Sequence, residues 1–299
     1  MDFATLLAQT KPPQRQTVAV AAAEDSVVLQ TLADAYREGV ADAILCGDEQ
    51  RIKDVAQAEG LDISPFSIIH AADERAAAAA AVRAVREGKA DMLMKGLLQT
   101  SNLLKAVLDK EHGLRGSGLI SHVSVLYSPI LDRIIYLSDA GMVPYPDLAA
   151  KAKIIENCVR AARGMGVECP KVAVLAAVET VNADMPPTLD AAALTVMNKR
   201  GQIKGCIVDG PLAMDLALSP FSAEHKGVKS EVAGRADVLI FPNIEAGNCV
   251  LKTLTCAGNG IFGGVVMGAA APIVLSSRGD NAQSKLFSIA CAAKIALNK

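Results

Sequence analysis

Residues 73–108 read DERAAAAAAVRAVREGKADMLMKGLLQTSNLLKAVL. Asp73 stands where a helix N-cap is expected, the alanine-rich run after it has high helix propensity, and Gly88 supplies a stop. Asp91–Met94 is then a short apolar strand that breaks at Gly96 and feeds a second helix over Thr100–Leu108. A helix, a buried strand and another helix within 36 residues form one period of βα alternation, the pattern of a mostly parallel sheet clad by helices.

The same alternation extends outward from this stretch. Upstream, Thr17–Ala23 reads as a buried strand and Asp25–Glu38 as a helix stopped by Gly39. Ala41–Cys46 is a second strand, and Glu49–Glu59 a short helix before Gly60. Downstream, Val123–Tyr127 and Arg133–Leu137 are joined through Ser128-Pro129, a spacing that predicts an antiparallel pair. A helix starts near Asp147, with Leu148, Ile154, Ile155, Val159 and Ala162 at helical spacing. Strands follow at Lys171–Ala177, Gly205–Val208 and Asp237–Phe241, with helices between them. The last helix, Asn281–Leu297, is expected to pack back on the first sheet. The prediction is two α/β domains, the first of residues 1–119 plus 276–299 and the second of 120–275.

Composition bounds the function. Of 299 residues, 51% are hydrophobic and 21% charged, and the formal net charge is −2. A general nucleic-acid binder would be basic, and with no Trp and 3% aromatic residues stacking platforms for single strands are not expected either. The N-terminus lacks the apolar core of a signal peptide, and no run reaches the about 18 apolar residues of a membrane span. Seven cysteines without CxxC spacing suggest reduced thiols in the cytoplasm. The histidines at 70, 112, 122 and 225 are scattered, with no zinc-binding spacing, and no metal is expected.

Four segments carry polar chemistry at strand ends. At Lys95-Gly96 a strand ends where a helix begins with Thr100 and Ser101. Free backbone N–H groups, hydroxyls and a lysine make an anion site there, although a hydroxyl that only caps the helix explains the same residues. Ser276-Ser-Arg-Gly-Asp280 follows the apolar run Ala269–Leu275. Arg278 can grip phosphate with a bidentate fork and Ser277 can donate to a developing oxyanion, while Asp280 also reads as the cap of the last helix. Phe241-Pro-Asn-Ile-Glu-Ala-Gly-Asn248 offers Asn243, Glu245 and Asn248 either to a cleft or as caps and turns. Val208-Asp-Gly-Pro-Leu-Ala-Met-Asp215 sets Asp209 at a fourth strand end. Gly258-Asn-Gly-Ile-Phe-Gly263 matches GxGxxG but lies after a helix and before a strand, the reverse of a dinucleotide site, and is read as an ordinary loop.

Taken together, Met94-Lys-Gly-Leu-Leu-Gln-Thr-Ser101, Ser138-Asp-Ala-Gly-Met142, Val208-Asp-Gly-Pro211, the segment from Val232 to Asn248 and Ser276-Ser-Arg-Gly-Asp280 resemble the phosphate acetyltransferase and phosphate butyryltransferase family, and the butyryl-type branch most. The resemblance implies two α/β domains with a cleft between them, as in isocitrate and isopropylmalate dehydrogenases, and a homodimer or larger homo-oligomer. It implies exchange of phosphate and coenzyme A on a short acyl group, by direct thiolate attack and without a metal or redox cofactor; coenzyme A is a substrate. Ser277 would hydrogen-bond the reacting carbonyl or thiol, Arg278 would hold the phosphoryl group, and Lys95, Thr100 and Ser101 would lie beside the cleft. An aspartate that serves as base in acetyl-type relatives is replaced by Ser284, which cannot accept a proton at neutral pH. Asp280 is the nearest substitute, weakened as a base if it caps a helix.

Overall fold

The computed structural model describes residues 1–116, 118–275 and 281–298, and Ser277, Arg278 and Asp280 lie outside the described residues. The chain forms two compact units, Met1–Gly118 with Gly263–Lys299, and Leu119–Phe262. The first begins with α1 (Phe3–Thr10), β1 (Gln16–Ala21), α2 (Ser26–Arg37), β2 (Ala41–Gly47), α3 (Glu49–Ala58), β3 (Ser67–His70), α4 (Glu74–Arg86), β4 (Met92–Lys95) and α5 (Thr100–Val107). The second holds β5 (Ser121–Ser128), β6 (Arg133–Ser138), α6 (Leu148–Gly164), β7 (Lys171–Leu175), α7 (Pro186–Lys199), β8 (Ile207–Leu212), α8 (Met214–Leu218), α9 (Pro220–His225), β9 (Val238–Ile240) and α10 (Ile244–Cys256). β10 (Ile261–Met267), β11 (Ile273–Val274) and α11 (Ala282–Leu297) complete the chain.

In the first unit the strands run β3-β2-β1-β4-β11-β10. All neighbours are parallel except β10 with β11. Met92, Leu93 and Met94 of β4 are fully buried, as a central strand covered on both faces must be. Aspartate caps start the helices: Asp25, Asp48 and Asp73 accept from backbone amides three residues on, at 2.9, 3.0 and 2.8 Å. Helix α4 buries Ala77, Ala78, Ala80, Ala81, Val82 and Ala84 against β1 and β2, while Arg75, Arg83 and Arg86 stay in solvent. Alanine on the inner face lets the helix lie close to the sheet. Helix α11 is buried on every side from Leu286 to Ala293.

The second unit's strands run β5-β6-β9-β7-β8. The β5–β6 pair is antiparallel, as the sequence predicts, and the other pairs are parallel. Helix α6 packs on β5, β6 and β9, and α7 on β7 and β8. Ile154, Ile155, Cys158, Ala161 and Ala162 form the buried stripe of α6.

Some expectations change. The apolar run Ala269–Leu275 holds only the two-residue strand β11, and α1 and β3 had no clear sequence signal. The chain rejoins the first unit at Gly263, earlier than residue 276, because Val265 pairs with Val274 and Ile273 with Leu93 of β4. Helix α11 takes Asn281 as its cap, the place expected of Asp280; the Asn281 side chain accepts from Ser284 N at 2.8 Å. Asp209 lies within β8, which continues to Leu212. The GxGxxG match begins in the loop after α10 and runs into β10, which takes up Ile261, Phe262 and Gly263.

Candidate active site

In the first unit the ligand edge is made where β1, β2 and β4 end. Gly96 sits directly against the β1 exit: its amide donates to Ala21 O at 2.8 Å and the Leu97 amide to Ala22 O at 2.7 Å. A Cβ on Gly96 would lie 2.6 Å from Ala21 O and closer still to Ala22 O. Only glycine lets the two exits meet. Beside them Glu24 fills the space over Gly47 and accepts from Asp48 N at 2.6 Å, which places a carboxylate on the same edge.

Lys95, the half-buried last residue of β4, donates to the carbonyls of Gly96 and Leu98, each at 3.1 Å. The ammonium is thus held over the turn that leads into α5. Gln99 occupies the cap position of α5 without a side-chain cap bond, so neither Thr100 nor Ser101 caps the helix. Their hydroxyls have no intramolecular partner among the described residues. Both residues are exposed in the first turn, where unsatisfied N–H groups and the helix dipole favour an anion.

Between α4 and α5 lies a basic groove of about 820 Å³. Arg75, Arg83 and Arg86 line one wall, and Asn102, Lys105 and His112 line the other. Arg86 donates to Glu111 O at 3.1 Å, whereas Arg75, Arg83 and Lys105 make no ion pair among the described residues. Asp109 also borders the groove. Its carboxylate accepts the His112 and Glu111 amides, which hold its pKa below the usual range. An excess of unpaired cations in a concave surface attracts phosphate groups.

The second unit builds its edge from the ends of β6 and β9. Asp139, buried after a cis Ser138–Asp139 bond, accepts the amides of His122 at 2.8 Å, Gly141 at 2.7 Å and Met142 at 2.8 Å. Ser138 Oγ donates back to His122 O at 2.8 Å. Asn248 Nδ2 donates to Ala140 O at 3.1 Å, and Gly247 lets α10 approach, since a Cβ there would lie 2.5 Å from Asp139 O. The outer part of the loop is tied by Tyr145 Oη donating to Glu245, which lowers the Glu245 pKa and raises that of Tyr145. Asn243 caps α10, accepting from Ala246 N at 3.0 Å, so its Oδ1 is occupied.

Of the residues singled out in the sequence, Lys95, Thr100 and Ser101 therefore converge on one turn of the first unit, and Asn243 and Asn248 on one turn of the second. Ser277, Arg278 and Asp280 fall outside the described residues. Ser284 is in the first turn of α11, its amide on Asn281 and its carbonyl accepting from Ser288 Oγ at 2.7 Å. His122 and the cationic groove had no motif to announce them, whereas Asp139 lies in the Ser138–Met142 stretch that carries the family resemblance. His122 enters through strand pairing alone, since the β5–β6 register brings it opposite Asp139. The arginines of α4 carried a faint signal, three cations on the outer side of an alanine helix. Among the described residues no three His, Cys, Asp or Glu side chains gather to hold a metal, and no helix is long and apolar enough to cross a membrane.

Comparison with known proteins adds names to this geometry. Residues 73–293 match the family described as phosphate acetyl/butaryl transferase. The phosphate butyryltransferase of Clostridium acetobutylicum is 48% identical over 298 residues, covering 100% of this chain and 99% of that protein. The phosphate acetyltransferase of Thermotoga maritima is 43% identical over 279 residues, covering 93% and 95%. Among solved structures, the branched-chain phosphotransacylase from Enterococcus faecalis V583 superposes with a TM-score of 0.83 at 33% identity, over 94% of this chain and 99% of the other.

Proposed function

Because the chain belongs to the phosphate acetyl/butaryl transferase family, we propose that it exchanges phosphate and coenzyme A on a short acyl group, with butyryl or a branched chain of similar length preferred to acetyl. The observation that carries the reading is the end-to-end likeness to a phosphate butyryltransferase, 48% over 298 residues. Acetyl transfer is the second reading, motivated by the 43% identity to a phosphate acetyltransferase. The dehydrogenase-like arrangement of the two units that the family resemblance implies, a homodimeric or larger assembly and a cytoplasmic location belong to the same proposal.

The chemistry follows from the groups available. The coenzyme A thiolate attacks the acyl carbonyl, the S–C bond forms, and the C–O bond to phosphate breaks with the electron pair leaving on oxygen. Arg278 holds the phosphoryl group, and Ser277 donates to the carbonyl oxygen as charge develops on it. The amides and hydroxyls of Thr100 and Ser101, with Lys95 above them, receive phosphate oxygens. Arg75, Arg83, Arg86 and Lys105, gathered along one groove, suit the nucleotide phosphates of coenzyme A. Asn248, positioned by Ala140 O, and Asn243 offer amide groups to the acyl or pantetheine portion. A phosphate-dependent assay across acetyl-, propionyl-, butyryl- and isobutyryl-CoA tests the reading. Highest kcat/KM on the four-carbon substrates is expected, and equal or better use of acetyl-CoA would transfer the assignment to the second reading.

A further inference from the structure

Resting on that reading, we propose that Leu97 sets the acyl-chain preference, as the apolar contact for the third and fourth carbons of the acyl phosphate. The inference starts from topology. β2 and β3 lie on one side of β1, whereas β4 lies on its other side. The connections leaving β1 and β4 part there, and ligands of open parallel sheets bind at such a switch point. Leu97 stands in the β4 exit, between Lys95 and the first residues of α5, all within the first unit. Its side chain is 42% exposed, while Gly96 and Leu98 on either side are buried. Among the described residues of this unit, the other large apolar side chains exposed by more than a third are Met1, Val27, Leu108 and Leu297. Met1, Leu108 and Leu297 stand at chain or helix ends, and Val27 is in the first turn of α2. Leu97 is the one that shares a turn with Lys95, Thr100 and Ser101.

The backbone beneath this side chain is fixed. The Leu97 amide donates to Ala22 O at 2.7 Å and the Gly96 amide to Ala21 O at 2.8 Å. Lys95 Nζ holds the carbonyls of Gly96 and Leu98, which bracket residue 97, and Leu98 anchors the turn in the core. A leucine on so fixed a support keeps apolar surface in water until a ligand covers it. That ligand must be anionic at one end and apolar at the other. In the functional reading, phosphate oxygens are received at Thr100 and Ser101. Thr100 is three residues beyond Leu97, with no more than about 10 Å between their Cα atoms. The last carbon of butyryl phosphate is five bonds from phosphorus and that of acetyl phosphate three. The two extra methylenes are therefore the part that reaches the leucine. The reacting carbonyl stays beside the phosphate in both substrates, so Leu97 acts on the choice of chain and not on bond making.

The size of the effect follows from apolar burial. Covering one methylene completely changes kcat/KM about fourfold, and two about 15-fold; a single wall supplies part of that. With acyl phosphate and coenzyme A as substrates, Leu97→Ala is expected to lower the butyryl-to-acetyl ratio of kcat/KM about 3–10-fold. The change should come from a higher KM for butyryl phosphate, with acetyl phosphate little affected. Leu97→Gln, which keeps the length and replaces the apolar end by an amide, should lower the ratio as well. Leu97→Met, of similar volume, should keep it within about twofold. Leu108→Ala, equally exposed at the far end of α5, should leave the ratio unchanged. Because the ratio is taken on one preparation, any unfolded fraction of a variant cancels from it. An unchanged ratio in Leu97→Ala, or an equal loss on both substrates, overturns the proposal. Failure of the wild-type enzyme to turn over any acyl phosphate would instead refute the functional reading itself.

Discussion

Replacing Gly96 with alanine tests whether the β4–α5 turn is held where the geometry requires. The new Cβ would lie 2.6 Å from Ala21 O and nearer still to Ala22 O, whereas ordinary contact begins at 3.4 Å. Both obstacles are backbone atoms of the β1 exit, so neither can rotate away. The turn must move by about 1 Å, and overpacking of this kind costs roughly 3 kcal/mol, the upper end for an inserted methyl. For a unit of this size that corresponds to a fall in Tm of about 6–12 °C. The moved turn carries Lys95 and the first amides of α5, and a misplacement of about 1 Å lowers turnover about 100-fold. Circular dichroism melts and the phosphate-dependent release of coenzyme A, run on the same preparation, measure both. A Gly96→Ala protein with unchanged Tm and unchanged turnover would refute the claim that this contact positions the α5 N-terminus.

Paired substitution of Arg83 and Arg86 by Gln is expected to raise KM for coenzyme A about 5–20-fold at low salt, with kcat within twofold and KM for phosphate unchanged. The defect should shrink as salt screens the groove; an equal rise in KM for phosphate contradicts the assignment. Asp139→Ala leaves three backbone amides, of His122, Gly141 and Met142, without their acceptor, and urea denaturation should show a loss of about 1–3 kcal/mol. Asp139→Asn, which keeps one oxygen, should lose about half as much, and a neutral Ala variant would contradict the role given to this carboxylate. Burial pushes the thiols of Cys46 up to about 12 and Cys206 to about 11, and raises Cys158 and Cys291 as well. The folded protein then holds these protons after the unfolded chain has lost them. Stability from the four thiols is full below about pH 8.5 and falls above it, by about 1.4 kcal/mol per thiol per pH unit. Urea midpoints between pH 8 and 10 check the sign. In the native state a thiol reagent should modify the exposed Cys169, Cys249 and Cys256 rapidly and the other four only after unfolding.

What could be read from the chain was what local chemistry decides. Asp73 and Gly88 bracket α4 because a cap and a stop act within one turn, and the antiparallel β5–β6 pair follows from a connection too short for a crossover. The strand β3 was silent because Ser67–His70 is a short edge strand with exposed ends, and it has no run of buried residues to reveal it. The passage of β10 and β11 into the first unit depends on Val265–Val274 and Ile273–Leu93 pairings, which are long-range and leave no local mark. At the site, Lys95, Thr100 and Ser101 were legible because a helix start after a strand is a local event. Asn243 was legible as a choice between cap and ligand, and the structure assigns its oxygen to the cap. His122 was not legible as more than one of four scattered histidines, since its neighbours Asp139 and Gly141 reach it only through sheet register.

The most direct measurement is the release of free coenzyme A from butyryl-CoA by the purified protein, followed with and without inorganic phosphate. The expected result is thiol release that saturates with phosphate, is matched by acyl phosphate formed, and falls by at least about 100-fold in Arg278→Ala. Release that proceeds equally without phosphate, or no release from any short acyl-CoA, would contradict the assignment.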